Sequence, residues 1–351
     1  MNPPDPTNPP PAEAALPLTA ARPADLYRVW AGRLADILLI ALICLGVYFR
    51  FAWTNWSQGT NLHPDEYGLT GTLTQLKMPA SLDEYINTRL SPISPYPKYD
   101  EAGAKVADGP DNRMRWGQWP IILLKWAAEL TEQTGYNEQR LLGRSLSALA
   151  DTLALLVIAL IGARLFNRRV GLLAAALSAL AVMQIQQSHF MTSDNFGVLF
   201  ATLTMYAAVR AAQSPPASGR ASLSGWHWYA LFGLGLGMTV ASRINLAPLA
   251  GLIVVAAAIA HWPHLLAASE RGAGIQRAAV LLIIAGAASL LSFRLTHPMA
   301  FRAETGDTTL LTFTPNPDWT ASLEVAAAES SLRAGGPPAE QWTSRPWVIF
   351  P

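Results

Sequence analysis

Four short polar stretches hold the side chains best placed to do chemistry. In Asn61-Leu62-His63-Pro64-Asp65-Glu66-Tyr67, two adjacent carboxylates follow a long apolar run. Held at the depth of lipid headgroups, such a carboxylate can take the proton of an acceptor hydroxyl as a general base, and Pro64 stiffens the turn that carries it. A solvated acidic pair is the plainer alternative. Ser188-His189-Phe190-Met191-Thr192-Ser193-Asp194-Asn195 sets another His and another Asp between two apolar runs. Asp194 is equally well placed there to cap a helix. Arg243 and Asn245 in Ser242-Arg243-Ile244-Asn245, and Arg294 and His297 in Phe293-Arg294-Leu295-Thr296-His297, complete the set. Arginines at such rims bind phosphate bidentately or snorkel to headgroups.

The elements that must position these residues are membrane helices. Of 351 residues, 51% are hydrophobic and 14% charged, where a soluble domain carries roughly 25% charged residues. Mean hydropathy is +0.23. Seven stretches approach the roughly 20 apolar residues that cross a bilayer: 34–52, 145–163, 170–188, 195–210, 227–242, 246–262 and 278–294. Trp30, Trp53, Trp56, Trp226, Trp228 and Trp262 flank them as an interfacial aromatic belt. Arg164, Arg168, Arg169, Arg210, Arg220, Arg271 and Arg277 fall in alternate loops, with Arg22, Arg28 and Arg33 before the first run. That side is therefore expected to be cytoplasmic, with the acidic stretches outside.

The expected fold class is an all-α integral membrane protein of about seven transmembrane helices. Residues 1–30 form a Pro-rich cytoplasmic tail expected to be disordered, 31–295 the membrane domain, and 296–351 an extracytoplasmic segment. Within the long first external loop, 53–144, the stretch Trp116–Leu130 repeats Trp116, Trp119, Leu123, Trp126 and Leu130 at helical spacing, which fits a helix lying in the outer interface. An eighth span would invert every later segment. Arg144 and Asp151 share one helix face, and Asp151 reads mainly as an inter-helix tie.

Several function classes fall away. A net charge of +1 excludes a generally basic nucleic-acid binder, and Cys44, the single cysteine, excludes a disulfide framework or a Cys-based zinc site. Gly233–Gly237 (GLGLG) follows no strand, so it is no dinucleotide turn; its spacing suits close helix packing.

Taken in order, the HPDE stretch at His63–Glu66, SPISPYP at Ser91–Pro97, GRSLSAL from Gly143, SHFMTSD at Ser188–Asp194 before the fourth span, FRLTHPMAF, NPDW at Asn316–Trp319 and PPAEQW at Pro337–Trp342 resemble the GT-C membrane glycosyltransferases. The similarity is to the family 39-like proteins, whose relatives include protein O-mannosyltransferases and aminoarabinose transferases. It runs from about residue 30 to 351. It implies a GT-C-type bundle that moves a sugar from a polyprenyl-phosphate carrier to an acceptor outside the membrane. The family's presumed catalytic aspartate then falls on Asp65, with Glu66 beside it, and its later external acid on Asp194. HFMTSD departs from the usual HFYTVD-like turn. Family members continue through further spans, so the resemblance also implies that a span is missing after Pro351.

The expected reaction is an inverting glycosyl transfer. Asp65, with Glu66, acts as base; His63, His189, Asp194, Arg243, Asn245, Arg294 and His297 contact substrate. No cofactor is certain; a divalent metal ion on Asp65 and Asp194 is an option. Expected partners are a polyprenyl-phosphate sugar donor, a lipid, glycan or protein acceptor, and membrane lipids, in the plasma membrane with the N-terminus cytoplasmic. The rivals are a transporter or flippase of a lipid-linked sugar and an inactive membrane fragment. A transporter would keep its ionisable groups near the midplane; here they gather at one mouth.

Overall fold

The first apolar run folds as α1, Pro23–Phe51, in the computed structural model of the chain, which describes residues 23–60, 62–100, 102–110, 117–214, 223–302 and 308–329. Residues 23–30, expected in the disordered tail, are helical. The remainder of that tail lies outside the described residues.

The other helices follow the apolar periodicity. They are α2 (Pro64–Gln75), α3 (Leu82–Ile86), α4 (Trp119–Leu130), α5 (Tyr136–Leu165), α6 (Arg168–Leu180), α7 (Val182–Ser188), α8 (Asp194–Ala212), α9 (Trp226–Ser242), α10 (Gly251–Leu266), α11 (Arg271–Thr296) and α12 (Pro317–Glu329). Short 3-10 segments at Ile244–Ala250 and Pro298–Ala300 lead into α10 and follow α11. All seven expected spans are helical. Among the described residues, four of these helices are long and apolar enough to cross a membrane, five if the bent pair α6–α7 counts as one span. α8 and α9 have 19 and 17 residues.

The third expected span is broken at Ala181, where α6 and α7 meet at 58°. No proline or glycine stands at the break; the cause is tertiary. Arg50 donates from Nη2 to the Ser178 carbonyl (3.0 Å), which also accepts the Ala181 amide, and from Nη1 to the Ala179 carbonyl (3.4 Å), so a side chain from α1 joins the carbonyls at the break. Its Nε bonds Asp151 on α5 at 2.6 Å, with both side chains buried. Asp151 is thus the expected inter-helix tie, and its partner is Arg50.

α9 packs along both α8 and α11. A Cβ on Gly233 would lie 2.2 Å from the Ala285 carbonyl, and one on Gly237 would lie 2.5 Å from Ser292 Cβ. The glycine pattern is therefore a close helix contact.

The long loop between α1 and α5 forms a cap over one end of the bundle. α4 is 12 residues, about 18 Å long, too short for a bilayer core of ~30 Å. It buries Ile121, Ile122, Leu124 and Ala128 and leaves Trp126 and Leu130 exposed. The large-residue stripe is therefore split: Trp119 and Leu123 are half-buried against the core while Trp126 and Leu130 face out; Trp116 lies outside the described residues. Leu69, Leu73, Ile93, Tyr96, Met191 and Met299 join the same core, so SPISPYP anchors the loop internally. A two-stranded antiparallel hairpin, Lys98–Tyr99 with Lys105–Ala107, departs from the all-helical expectation. PPAEQW lies outside the described residues.

Candidate active site

Two of the sequence motifs meet at the N-terminus of α2. His63 caps that helix, its Nδ1 accepting from the Glu66 amide (3.4 Å), and Pro64 follows at the first helical position. The cap turns Asp65 and Glu66 in opposite directions. Glu66 is fully buried: Arg144 donates from Nε to Oε1 (2.7 Å) and from Nη2 to Oε2 (2.6 Å), and the Met191 amide donates to Oε1 (3.0 Å). Arg144 has an acceptor at every nitrogen, since Nη1 also reaches the Thr54 carbonyl (2.8 Å) and Nη2 the Ser57 hydroxyl (3.1 Å). A Cβ on Gly143 would lie 2.5 Å from Met191 Cγ, so glycine lets the 188–194 turn close onto α5.

Asp65 is exposed in the first turn of α2, where the helix dipole favours a negative charge. Its carboxylate forms no ion pair or hydrogen bond with another described residue. Beside it the His63 ring lies 4.4 Å from that of Phe190, and Trp56 packs edge-on against Phe190. His189 bridges two elements: its Nδ1 lies 2.7 Å from the Ile185 carbonyl and its Nε2 2.8 Å from the Ala52 carbonyl.

Asp194 opens α8, and Arg243, at the end of α9, pairs with it from Nη2. Both side chains are partly exposed, and the pair joins the 188–194 turn to the rim formed by α9 and the following 3-10 segment. Asn245 stands exposed on that segment. The Glu66–Met191 and Asp194–Arg243 contacts link the N-terminus of α2, the 188–194 turn and the end of α9 into one rim.

Arg294 and His297 are placed differently. Arg294 is buried; its Nη2 donates to the Thr309 carbonyl (2.7 Å), and its guanidinium lies 5.3 Å from the Phe301 ring centroid. His297 is buried against Phe293 and Trp319 of NPDW, and burial pushes its pKa down to about 3. Tyr85 donates to the Leu295 carbonyl (2.7 Å), and burial raises its pKa. These groups form a separate internal corner. Among the described residues no three His, Cys, Asp or Glu side chains come together as a metal site.

Two functional partners escaped the sequence reading. Arg144 was visible only as a neighbour of Asp151, and the Glu66 pairing spans 78 residues of chain. Arg50, a lone cation ending an apolar run, carried a weak signal of its own: an intramembrane-edge charge demands a partner.

A helical membrane bundle with a capped rim of acids and arginines is the class of protein defined so far. Residues 120–303 match the family described as dolichyl-phosphate-mannose-protein mannosyltransferase, and the chain belongs to that family of GT-C membrane glycosyltransferases. Among solved structures it is similar to the Archaeoglobus fulgidus oligosaccharyltransferase crystallised with a tethered acceptor peptide, at 14% identity and a TM-score of 0.42. That similarity covers 74% of this chain and 34% of the other, so the chain spans about a third of that enzyme's length. No curated protein matches in sequence.

Proposed function

We propose that this glycosyltransferase uses a polyprenyl-phosphate sugar as donor and Asp65 as the base that activates an acceptor hydroxyl on the extracytoplasmic side. One observation carries the reading: of two adjacent carboxylates, Glu66 is locked in a buried bidentate pair and Asp65 is left exposed and unengaged. Glu66 and Arg144 then act as positioning residues that fix the turn on which Asp65 stands.

In the proposed step the Asp65 carboxylate takes the hydroxyl proton and the oxygen attacks the anomeric carbon. The bond to the carrier phosphate breaks with inversion, and the phosphate leaves with the bonding electron pair. Arg243, partly exposed and 21% accessible at the same rim, supplies positive charge toward that phosphate. Asn245 and His63 line the substrate side, and His189 holds the turn beneath. Asp194 orients Arg243, and Arg294 and His297 shape the adjoining corner without touching sugar. A divalent ion, if one serves the reaction, would take Asp65 and Asp194 as its acidic ligands and neutralise phosphate charge.

The distribution of arginines over alternate loops supports a cytoplasmic N-terminus and an outward rim; residence in the plasma membrane is part of the same proposal. The family's name, with its dolichyl-phosphate mannose, supports a polyprenyl-phosphate donor. The full chain, reconstituted with a panel of radiolabelled polyprenyl-phosphate sugars, provides the test. Asp65→Asn should cut donor consumption by roughly 10²–10⁴-fold, the usual share of a general base, with unchanged thermal stability. Wild-type turnover by that variant would sink the proposal.

A further inference from the structure

An aromatic groove of about 580 Å³ lies between the end of α1 and α7, lined by Tyr48, Phe49, Trp53, Trp56, His189 and Phe190. The bend at Ala181 turns α7 away from the line of α6 beside this surface. Trp53 holds a positive φ of 60°, unusual for a bulky residue, and its indole is 82% exposed. The groove is continuous with the proposed site. Trp56 donates from Nε1 to the His189 carbonyl (3.3 Å) and packs on Phe190, whose ring meets His63, two residues before Asp65.

Charge decides what such a groove can deliver. Among the described residues no lysine or arginine lines the groove; Arg144 lies 5.2 Å from the Trp56 ring, and its charge is spent on Glu66. The group left outward beside His63 is the Asp65 carboxylate, which repels a phosphate and accepts a hydroxyl proton. Arg243 is not among the residues that line this groove and is paired with Asp194. We infer that the α1–α7 groove receives the hydrocarbon chain of a membrane-lipid acceptor, entering sideways from the bilayer with an uncharged, hydroxyl-bearing headgroup at Asp65. The inference rests on Asp65 being the base; it settles the acceptor class as lipid and leaves the donor phosphate to the Arg243 side.

Photolabelling of the full chain in phosphatidylcholine vesicles tests it without requiring turnover. Two diazirine probes are compared, a diacylglycerol and a polyprenyl phosphate. The diacylglycerol should label peptides containing Tyr48, Trp53 and Phe190 about fivefold more than the polyprenyl phosphate does, the ratio expected of one screened like-charge contact. Asp65→Asn should bring that ratio near one, and Trp53→Ala should lower labelling by both probes at this groove alone. Preference for the polyprenyl phosphate would assign the groove to the donor and overturn the inference. Equal labelling at Trp226 and Trp262 would reduce it to an ordinary aromatic belt and overturn it as well, as would a preference that survives Asp65→Asn. Donor consumption, measured separately, reports on the catalytic reading itself, so the two fail independently.

Discussion

The rim around α2 and the corner at the end of α11 use the same residue types to opposite ends. At the rim, Arg144 has an acceptor for each guanidinium nitrogen, Glu66 has its oxygens filled, and only Asp65 is left to face outward. At the corner, Arg294 Nε and Nη1 and His297 Nδ1 are buried with no hydrogen-bond partner among the described residues. Phe293, Phe301 and Trp319 surround them instead. On the proposed reading the difference separates rigidity from chemistry. The satisfied Glu66–Arg144 pair fixes the turn beside the proposed base Asp65, whereas Arg294 and His297 are sealed among aromatic rings.

The largest expected effect is at the rim. Arg144→Met strands the Glu66 carboxylate in a buried site, and removing one partner of a buried pair costs about 3–5 kcal/mol. Thermal unfolding in detergent should show that loss, and a second change, Glu66→Gln, should recover much of it because no charge is then left unpaired. A mild single variant with no recovery in the double would mean that the pair is not what holds the rim, and the contrast with the corner would collapse.

The corner predicts a pH dependence of definite sign. His297 has an ordinary pKa of 6.5 when unfolded and about 3 when folded, because burial penalises the charged ring. Above pH 6.5 both states are neutral and this group adds no slope. Between 6.5 and 3 the unfolded chain binds a proton that the folded chain refuses. Stability should therefore fall by about 1.4 kcal/mol for each pH unit below 6.5. Melting curves from pH 7.5 to 5.0 would measure it, and His297→Phe should flatten the acid side. An unchanged slope in that variant would place the acid sensitivity elsewhere.

Much of the helix plan was legible because apolar runs of spanning length leave little choice of structure. The HPDE and SHFMTSD stretches were legible as polar clusters at helix ends, and the structure joins them through Glu66 and the Met191 amide. What stayed hidden was tertiary. Arg144 and Asp151 share a face of α5, yet each finds an opposite charge on a different element, Glu66 and Arg50. The break at Ala181 has no local breaker, since a guanidinium from α1 stabilises it. The hairpin at Lys98–Ala107 is too short to show a period, and in α4 spacing alone did not show that Trp119 and Leu123 pack inward while Trp126 and Leu130 stay exposed. Local pattern specifies elements; long-range charge pairing decides which acid stays free.

The smallest effect on stability sharpens the contrast further. Asp194 and Arg243 form an ion pair at the rim whose side chains are 35% and 21% accessible, so water and salt screen it and it stabilises by less than about 1 kcal/mol. Asp194→Asn and Arg243→Gln should each leave the melting temperature nearly unchanged, with any loss shrinking as salt rises. Arg243→Gln should nonetheless slow donor consumption, because charge toward a leaving phosphate matters in the transition state and not to the fold. A large stability loss with parallel loss of turnover would instead make this pair a second structural clamp like Glu66–Arg144. The rim would then hold Asp65 between two fixed points, and the cation for the phosphate would have to be sought on another element.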